Sequence, residues 1–338
     1  MDLLTRGEGE CEGRQSTILP PACRKPRVCH ILTVTRARTV LVTGATGRIG
    51  RLVVDALLRA GVHVRALTRH PDRAALPDVV ELATGDFTAP DSIDPALEDG
   101  DAAFLVWTAP VDTAAAVIAR LGAEPRRIVY LSAPFRTPHP FFQQPNPLRD
   151  LHAEIERLLA ESGRDGAILR PGMFMSNALH WWAPQIRAGD VVRWPYADVE
   201  TAPIDERDIA AVAARVLVDD TYANVDHVLT GPESLSQRAQ LHAIGEAIGR
   251  QLIFEELSPD EFRRETEGTW PAGVADMLLS AWSAALGQPA FVTSAVEEIL
   301  GVPARTVRDW ALDNAAAFGT RNSPARLRRR HCGSPADV

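Results

Sequence analysis

The chain has 338 residues, of which 46% are apolar, and its formal net charge is −8 at pH 7. This length suffices for one large domain or two small ones, and the acidic balance argues against nucleic acid as a partner. No apolar run approaches the roughly 20 residues that cross a bilayer, so no membrane association is expected.

The ends of the chain differ in character from its middle. They carry the four cysteines, whose spacings match no zinc pattern, namely Cys11, Cys23, Cys29 and Cys332. We therefore expect no metal site and a cytoplasmic protein with reduced thiols. Residues 1–36 show no sustained periodicity and residues 320–338 form an arginine-rich tail, so both are predicted to be disordered around a folded part over residues 37–319.

A strand that runs into a glycine-punctuated turn is the most informative local feature. The apolar run Val40–Thr43 is followed by Gly44, Gly47 and Gly50, and apolar residues then recur at helical spacing from Ile49. Such a unit points backbone N–H groups and the positive N-terminus of a helix at a pyrophosphate. The sequence therefore predicts a dinucleotide-binding turn over residues 44–50.

Strand and helix patterns alternate after this turn. Strands are predicted over residues 63–68, 79–83, 102–107, 127–132 and 167–170, and helices over residues 151–162 and 208–218. This alternation predicts an α/β fold with a doubly wound, mostly parallel sheet. Beyond residue 172 the pattern is irregular and rich in tryptophan. We therefore expect a smaller C-terminal substrate subdomain, from about 172–203 and 220–318, over the carboxyl ends of the strands.

Five short segments occur in a characteristic order. They are Thr43–Gly50, Gly85–Phe87, Ile128–Ser132, Ile168–Asn177 and Pro203–Ala210. Over about residues 38–260 this combination resembles the NmrA-like branch of the atypical short-chain dehydrogenase/reductase (SDR) superfamily. The resemblance implies a Rossmann-type sheet, a bound NAD(P) cofactor, an adenine contact at Asp86 and Phe87, and a functional serine at Ser132.

The chain departs from this superfamily at its catalytic pair. Catalytic members use Tyr-x-x-x-Lys, in which the tyrosine donates a proton and the lysine lowers the tyrosine pKa, but the only lysine here is Lys25. The lysine position falls on His152 and the tyrosine position on Leu148. Either another group protonates the product, or the substrate needs little assistance, or the protein only senses the cofactor.

The residue after the second predicted strand indicates the cofactor. An acidic side chain there would select NAD through the ribose 2′-hydroxyl, whereas Arg69 can pair with a 2′-phosphate and stack on adenine. NADP(H) is therefore expected, with Arg48 adding positive charge and His152 contacting the nicotinamide ribose. The expected cofactor contacts are Gly44, Thr46, Gly47, Arg48, Ile49, Arg69, Asp86, Phe87, Thr108, His152, Pro171 and Phe174.

Ser132 and His152 are the candidate catalytic residues. Ser132 ends a strand at the ligand face, where its hydroxyl could bond a substrate carbonyl or act only as a turn residue. His152 could also relay a proton, since an ordinary histidine titrates near pH 6.5. His139 and His180 are further candidate proton donors.

Aromatic and apolar side chains cluster after the sixth predicted strand. The expected substrate contacts are Met173, Asn177, His180, Trp181 and Trp182. A broad apolar wall, suited to a flat aromatic or quinone-like substrate, would also include Phe141, Phe142, Met175 and Trp194. For each residue taken singly, ordinary subdomain core is the alternative interpretation.

The favoured hypothesis is an NADPH-dependent reductase of a ketone or quinone on an aromatic, polyketide-type small molecule. A phenol beside the ketone would polarise it internally, so no catalytic tyrosine would be required. The arginine-rich, lysine-poor composition is typical of high-GC coding and fits antibiotic biosynthesis. The alternative hypothesis is a non-catalytic NADP(H) sensor that binds a protein partner. Both a monomer and a homodimer are compatible with the sequence.

Overall fold

A computed structural model describes residues 38–122, 127–222 and 224–319. The four cysteines and the two terminal segments predicted to be disordered lie outside these residues. The strands are β1 Thr39–Val42, β2 His63–Thr68, β3 Glu81–Thr84, β4 Ala102–Leu105, β5 Arg127–Leu131, β6 Asp165–Pro171, β7 Val191–Pro195, β8 Glu200–Thr201, β9 Asp226–Leu229, β10 Leu235–Ser236 and β11 Ile253–Leu257.

The helices connect these strands and build the rest of the fold. They are α1 Arg48–Arg59, α2 Asp94–Leu97, α3 Ala114–Leu121, α4 Pro147–Glu161, α5 Asn177–Trp181, α6 Ala183–Ala188, α7 Glu206–Val218, α8 Gln237–Ile248, α9 Pro259–Thr266, α10 Val274–Ala285, α11 Ala295–Leu300 and α12 Val307–Asp313. Within the described ranges, none of them combines the length and the apolar character that crossing a bilayer requires.

The main sheet has seven strands in the order β3-β2-β1-β4-β5-β6-β9, and every neighbouring pair is parallel. Central strands of such a sheet are buried on both faces, which explains why Val40, Leu41 and Val42 of β1 are all apolar. On one face α1 and α7 pack through Val53, Leu57 and Val216, and on the other α3 and α4 pack through Leu121 and Ile155. This arrangement confirms the predicted doubly wound, Rossmann-type fold.

A second hydrophobic core lies in the C-terminal half of the chain. Trp194 of β7, Phe262 of α9, Trp282 of α10 and Trp310 of α12 are all buried in it. Two small sheets support this core, since β7 pairs in parallel with β11 and β8 pairs antiparallel with β10. We call this part the substrate subdomain.

Two segments expected in the substrate subdomain pack with the main sheet instead. Strand β9 pairs with β6, placing Asp226 opposite Ile168 and Leu229 opposite Pro171, and α11 buries Val296 in the core beneath the main sheet. The boundary therefore differs from the predicted 220–318. Strand β9 begins with Asp226 and His227 and has only two apolar residues, so it shows no strand pattern of its own. The spacing of apolar residues in α11 does not reveal which core they join.

Candidate active site

The glycine turn between β1 and α1 has a backbone that other residues would disturb. Gly44 has a φ of +61°, in the left-handed region that glycine adopts without strain. A Cβ atom at Gly50 would overlap the carbonyl oxygen of Gly44, so the missing side chain lets α1 start directly against the turn. Gly47 caps α1 without a side-chain bond, and no acidic residue lies in the first turn of this helix. The first N–H groups of α1 therefore face the turn as an anion site.

An open groove of about 560 Å³ runs from this turn along the carboxyl ends of β1 to β5. We call it the cofactor groove, and its volume lies within the usual range for small-molecule sites. Most of the expected cofactor contacts line it, namely Gly44, Thr46, Gly47, Arg48, Ile49, Arg69, Asp86, Phe87, Thr108 and Phe174. Two do not: Pro171 is buried at the end of β6, and the His152 ring is hydrogen-bonded to Tyr130 of β5. The residues present thus fit a dinucleotide.

The end of the groove beyond β2 is positively charged. Arg69 is exposed there and makes no ion pair within the described residues. Across the groove, Asp86 accepts the Thr88 N–H at 2.9 Å, and this bond holds the pKa of the Asp86 carboxyl below its ordinary value. His70 and Arg73 also line this end and were not predicted from the sequence. The run of basic residues directly after β2 could have indicated them.

Arg48 joins the glycine turn to the substrate subdomain. Its guanidinium lies 2.9 Å from His180 Nε2 on α5 and 3.8 Å from the buried carboxylate of Glu206 on α7. Burial raises the pKa of Glu206. His180 therefore faces the glycine turn, and the structure does not place it in the pocket expected for the substrate.

Ser132 lies in a buried ionic network. Its Oγ donates to Glu156 Oε1 at 2.6 Å, and Glu156 pairs with Arg170 inside the protein. The Ser132 side chain is 6% exposed and does not line the cofactor groove. Its proton is therefore committed to a carboxylate, and the predicted contact with a substrate carbonyl has no support from this arrangement. The role stays a prediction.

His152 is hydrogen-bonded to a tyrosine that lies outside the superfamily position. The Tyr130 hydroxyl is 2.6 Å from His152 Nδ1. Burial raises the pKa of the fully buried Tyr130 and lowers the pKa of His152. Both groups therefore favour their neutral forms, and either the hydroxyl or a protonated Nδ1 can donate this bond. A neutral ring that accepts at Nδ1 carries its hydrogen on Nε2. The bond ties the His152 ring to Tyr130 in either tautomer, and its ribose contact stays a prediction.

A second cavity, of about 160 Å³, lies beside the cofactor groove. We call it the substrate pocket; its lining includes Ala133, Phe135, Phe141, Phe142, Arg149, Met173, Asn177, Trp181, Met277 and Leu278. Leu131 and Phe174 line the groove, whereas Ala133 and Met173, close to them in the chain, line the pocket. The ends of β5 and β6 therefore form a common wall between the two.

Three of the expected substrate residues, Met173, Asn177 and Trp181, line this pocket. Trp182 does not: it is 2% exposed and packs edge-on against Trp194, with ring centroids 6.4 Å apart. With Asn177 and Trp181 it lines a separate small cavity of about 20 Å³. Met175 and Trp194 are likewise core residues. All three side chains are buried in the core of the substrate subdomain, and a substrate contact of Trp182 stays a prediction.

Other parts of the lining were not found from the sequence. The loop after β5 contributes Phe135, and α10 contributes Met277 and Leu278. His139 lies outside the substrate pocket, with Nε2 3.0 Å from the Pro289 carbonyl oxygen. Across the described ranges, no group of three or more histidine, cysteine or acidic side chains is arranged to hold a metal ion.

A glycine turn at a helix N-terminus, a dinucleotide-sized groove and an adjoining apolar pocket define a nucleotide-dependent oxidoreductase. The model of the NAD(P)H-binding family matches residues 44–220. The chain belongs to this family, in its NmrA-like, atypical SDR branch, and is an NAD(P)H-dependent oxidoreductase.

Two relatives match almost along their whole length. The (4-alkanoyl-5-oxo-2,5-dihydrofuran-3-yl)methyl phosphate reductase of Streptomyces griseus is 37% identical over 289 residues, which cover 82% of this chain and 99% of that protein. The NAD(P)H azoreductase of Xenophilus azovorans is 30% identical over 290 residues, covering 83% and 99%.

A solved structure shows the same fold. The NADPH-dependent quinone oxidoreductase of Escherichia coli, in complex with NADPH, matches with a TM-score of 0.70 at 24% identity, covering 82% of this chain and 99% of that one.

Proposed function

We propose that this protein reduces a conjugated carbonyl compound with NADPH, most simply a quinone or a ketone conjugated with an aromatic ring or double bond. The observation that carries the proposal is the wall shared by the cofactor groove and the substrate pocket. Because Leu131 and Phe174 face one side and Ala133 and Met173 the other, a ring in the pocket would lie beside the inner end of the groove. Proximity of this kind is a main source of rate in hydride-transfer enzymes.

Different residues would bind the cofactor and the acceptor. The N–H groups of the glycine turn would hold the pyrophosphate, and Arg69 would pair with the 2′-phosphate. NADPH, when bound there, supplies the hydride. The aromatic side chains of Phe141, Phe142 and Trp181 exclude water and pack against a flat acceptor.

The pocket has no evident general acid. Among the described residues that line it there is no carboxyl, histidine or tyrosine side chain. A conjugated acceptor spreads the developing negative charge over its carbonyl oxygen, where the Asn177 amide can donate a hydrogen bond. Water can then deliver the proton after the hydride has been transferred to carbon. This chemistry suits a site without the Tyr-x-x-x-Lys pair.

The named activities of the relatives support this substrate class. An alkanoyl dihydrofuranone, an azo group and a quinone are all electron-poor, conjugated acceptors, although their shapes differ. The predicted aromatic, polyketide-type ketone or quinone falls in the same class and stays the narrower prediction.

The test is loss of NADPH absorbance with a panel of acceptors. We expect turnover with naphthoquinone and an acylated unsaturated lactone, and none with cyclohexanone, whose carbonyl is unconjugated. Asn177→Leu should lower kcat by about 10²–10³-fold, as for loss of one oxyanion donor. Tight NADPH binding without turnover of any acceptor would refute the proposal and favour the cofactor sensor.

A further inference from the structure

Apart from Asn177, the polar side chains that line the substrate pocket all come from residues 144–149. Among the described residues that line it, Arg149 in the first turn of α4 is the only charged side chain. The other polar groups in this segment are neutral amides, those of Gln144 and Asn146. The pocket therefore combines an aromatic and aliphatic interior with a single positive charge.

Arg149 differs from its neighbours in having nothing to neutralise it. Its side chain is exposed, and its guanidinium makes no hydrogen bond or ion pair within the described chain. On the same helix, Arg157 pairs with Glu154 at 2.6 Å and with Glu161 at 2.5 Å. A solvated guanidinium beside an apolar cavity retains all its donors for a ligand.

The adjoining amide adds a donor to this segment. The Asn146 side-chain oxygen accepts the Leu148 N–H at 2.9 Å, which leaves the amide nitrogen of Asn146 to donate. Gln144 uses its amide nitrogen on the Pro140 carbonyl at 3.1 Å. No carboxylate among the described lining residues opposes an incoming anion.

We infer that the substrate is an amphiphilic anion, whose apolar body fills the pocket and whose phosphate or carboxylate pairs with Arg149. This deepens the proposed function, since it concerns the same pocket. Arginine binds a phosphate or a carboxylate through two parallel N–H···O bonds, so either group fits this site. Arg149 is then a specificity-determining residue that acts on substrate binding.

The test is calorimetric titration with the cofactor groove filled by NADP⁺, so that Arg69 and the glycine turn are already occupied. The probes are octyl phosphate, octanoate, octanol and inorganic phosphate. We expect octyl phosphate or octanoate to bind more tightly than octanol, and inorganic phosphate to bind weakest because it leaves the apolar wall uncovered. Preference between the two octyl anions identifies the group that is recognised.

Substitutions of Arg149 distinguish the effect of its charge on binding from the effect of apolar packing. Arg149→Gln should weaken the preferred octyl anion by about 10- to 100-fold, to the level of octanol, and leave octanol unchanged. Arg149→Lys should retain part of the preference. Arg157→Gln on the same helix is the matched control and should bind as the unaltered chain does. Because Arg149 is exposed, its variants should fold normally, which the melting temperature checks.

Three results would overturn the inference: equal binding of octanol and the octyl anions, unchanged anion binding in Arg149→Gln, or inorganic phosphate binding as tightly as octyl phosphate. The proposed function and this inference can be refuted independently of each other. If anions bind through Arg149 but no conjugated acceptor is reduced, only the proposed function is lost. If neutral quinones are reduced and Arg149→Gln changes neither anion binding nor the KM of a phosphorylated acceptor, only this inference is lost.

Discussion

At the scale of single residues, Arg69 should decide between the two nicotinamide cofactors. It is exposed at the end of β2 and has no ion pair in the described chain, so a 2′-phosphate would be its natural partner. Charged hydrogen bonds of this kind contribute about 1.5–3 kcal/mol. Arg69→Gln should therefore weaken NADPH by roughly 10- to 100-fold and leave NADH almost unchanged.

Quenching of tryptophan fluorescence by each cofactor would give both Kd values. Arg59→Gln is the matched control, because this arginine is exposed in the last turn of α1, outside the groove. Equal losses for NADPH and NADH in Arg69→Gln would show that this side chain does not contact the 2′-phosphate.

His152 should make stability depend on pH. Burial lowers its pKa below the ordinary 6.5, so the unfolded chain takes up this proton at a higher pH than the folded protein does. The unfolded state then binds more protons as the pH falls below about 6.5, and the free energy of unfolding decreases there, by at most about 1.4 kcal/mol per pH unit for one group. His227, also lowered by burial, adds to the effect.

Urea unfolding between pH 7.5 and pH 5 measures this dependence. We expect His152→Gln to reduce the slope, while the glutamine amide can still hydrogen-bond to the Tyr130 hydroxyl. His242→Gln, at a side chain that is 73% exposed, should leave the slope as it is. An identical slope in the His152 variant and the unaltered protein would contradict the assignment.

At the scale of secondary-structure elements, one buried network ties four of them together. Glu156 of α4 pairs with Arg170 of β6 and accepts from Ser132 after β5, and Arg170 Nη2 reaches Asp226 of β9 at 2.7 Å. The Arg170 guanidinium also lies 5.6 Å from the ring centroid of Phe135 in the substrate pocket. The network therefore holds the loop after β5 against the sheet.

Removing Glu156 should be costly because it leaves Arg170 buried without its main counter-charge. The Glu156 and Arg170 side chains are 1% and 3% exposed, and breaking such a pair costs about 3–5 kcal/mol. We expect Glu156→Ala to lower the urea midpoint strongly. If that variant fails to fold, Ser132→Ala removes only the hydroxyl bond to the Glu156 carboxylate, which should cost about 1.5–3 kcal/mol.

Glu154→Ala provides the control for this helix. Glu154 pairs with Arg157 at the surface, where ion pairs add little stability, so its variant should keep the urea midpoint. A Glu156 variant as stable as the Glu154 variant would show that the buried pair does not hold these elements together.

The elements differ in how far the sequence determines them. The run from Val40 to the glycine turn and into α1 was predictable, because strand burial, glycine spacing and helical periodicity are all local signals. Strand β9 was not, since its first two residues, Asp226 and His227, are polar and the segment becomes a strand only by pairing with β6. The hydrogen bond of Ser132 could not be predicted from the sequence either. Its partner Glu156 is 24 residues away, and the side chain of a serine at a strand end can point to either face.

At the scale of the whole molecule, the two ligand sites depend on different parts of the fold. The cofactor groove lies on loops that directly follow the strands, so most of its residues could be named from motifs. The substrate pocket combines the loop after β5, the first turn of α4, the segment after β6 and α10. Arg149 and Met277 could not be placed there from the sequence, because no local pattern shows which helix covers a pocket.

The aromatic core of the substrate subdomain should affect substrate binding without affecting the cofactor. Trp282 is fully buried and lies edge-on to Trp181, with ring centroids 5.9 Å apart, and Trp181 lines the substrate pocket. Trp282→Ala should cost about 3–5 kcal/mol of stability. Because Trp181 would lose its support, the KM for a conjugated acceptor should rise, whereas the Kd for NADPH should not change.

Steady-state kinetics and NADPH titration of the same preparations give the two constants. Leu121→Ala is the matched control, since Leu121 of α3 is also fully buried but packs in the core on one face of the main sheet, away from the substrate pocket. It should lower stability by about 2–5 kcal/mol and leave KM unchanged. Trp282→Phe keeps an aromatic ring, so its KM should lie between the values for Trp282→Ala and Leu121→Ala. A loss of NADPH affinity in parallel with KM would mean that the subdomain core also supports the cofactor groove, and the two sites would then not be separable.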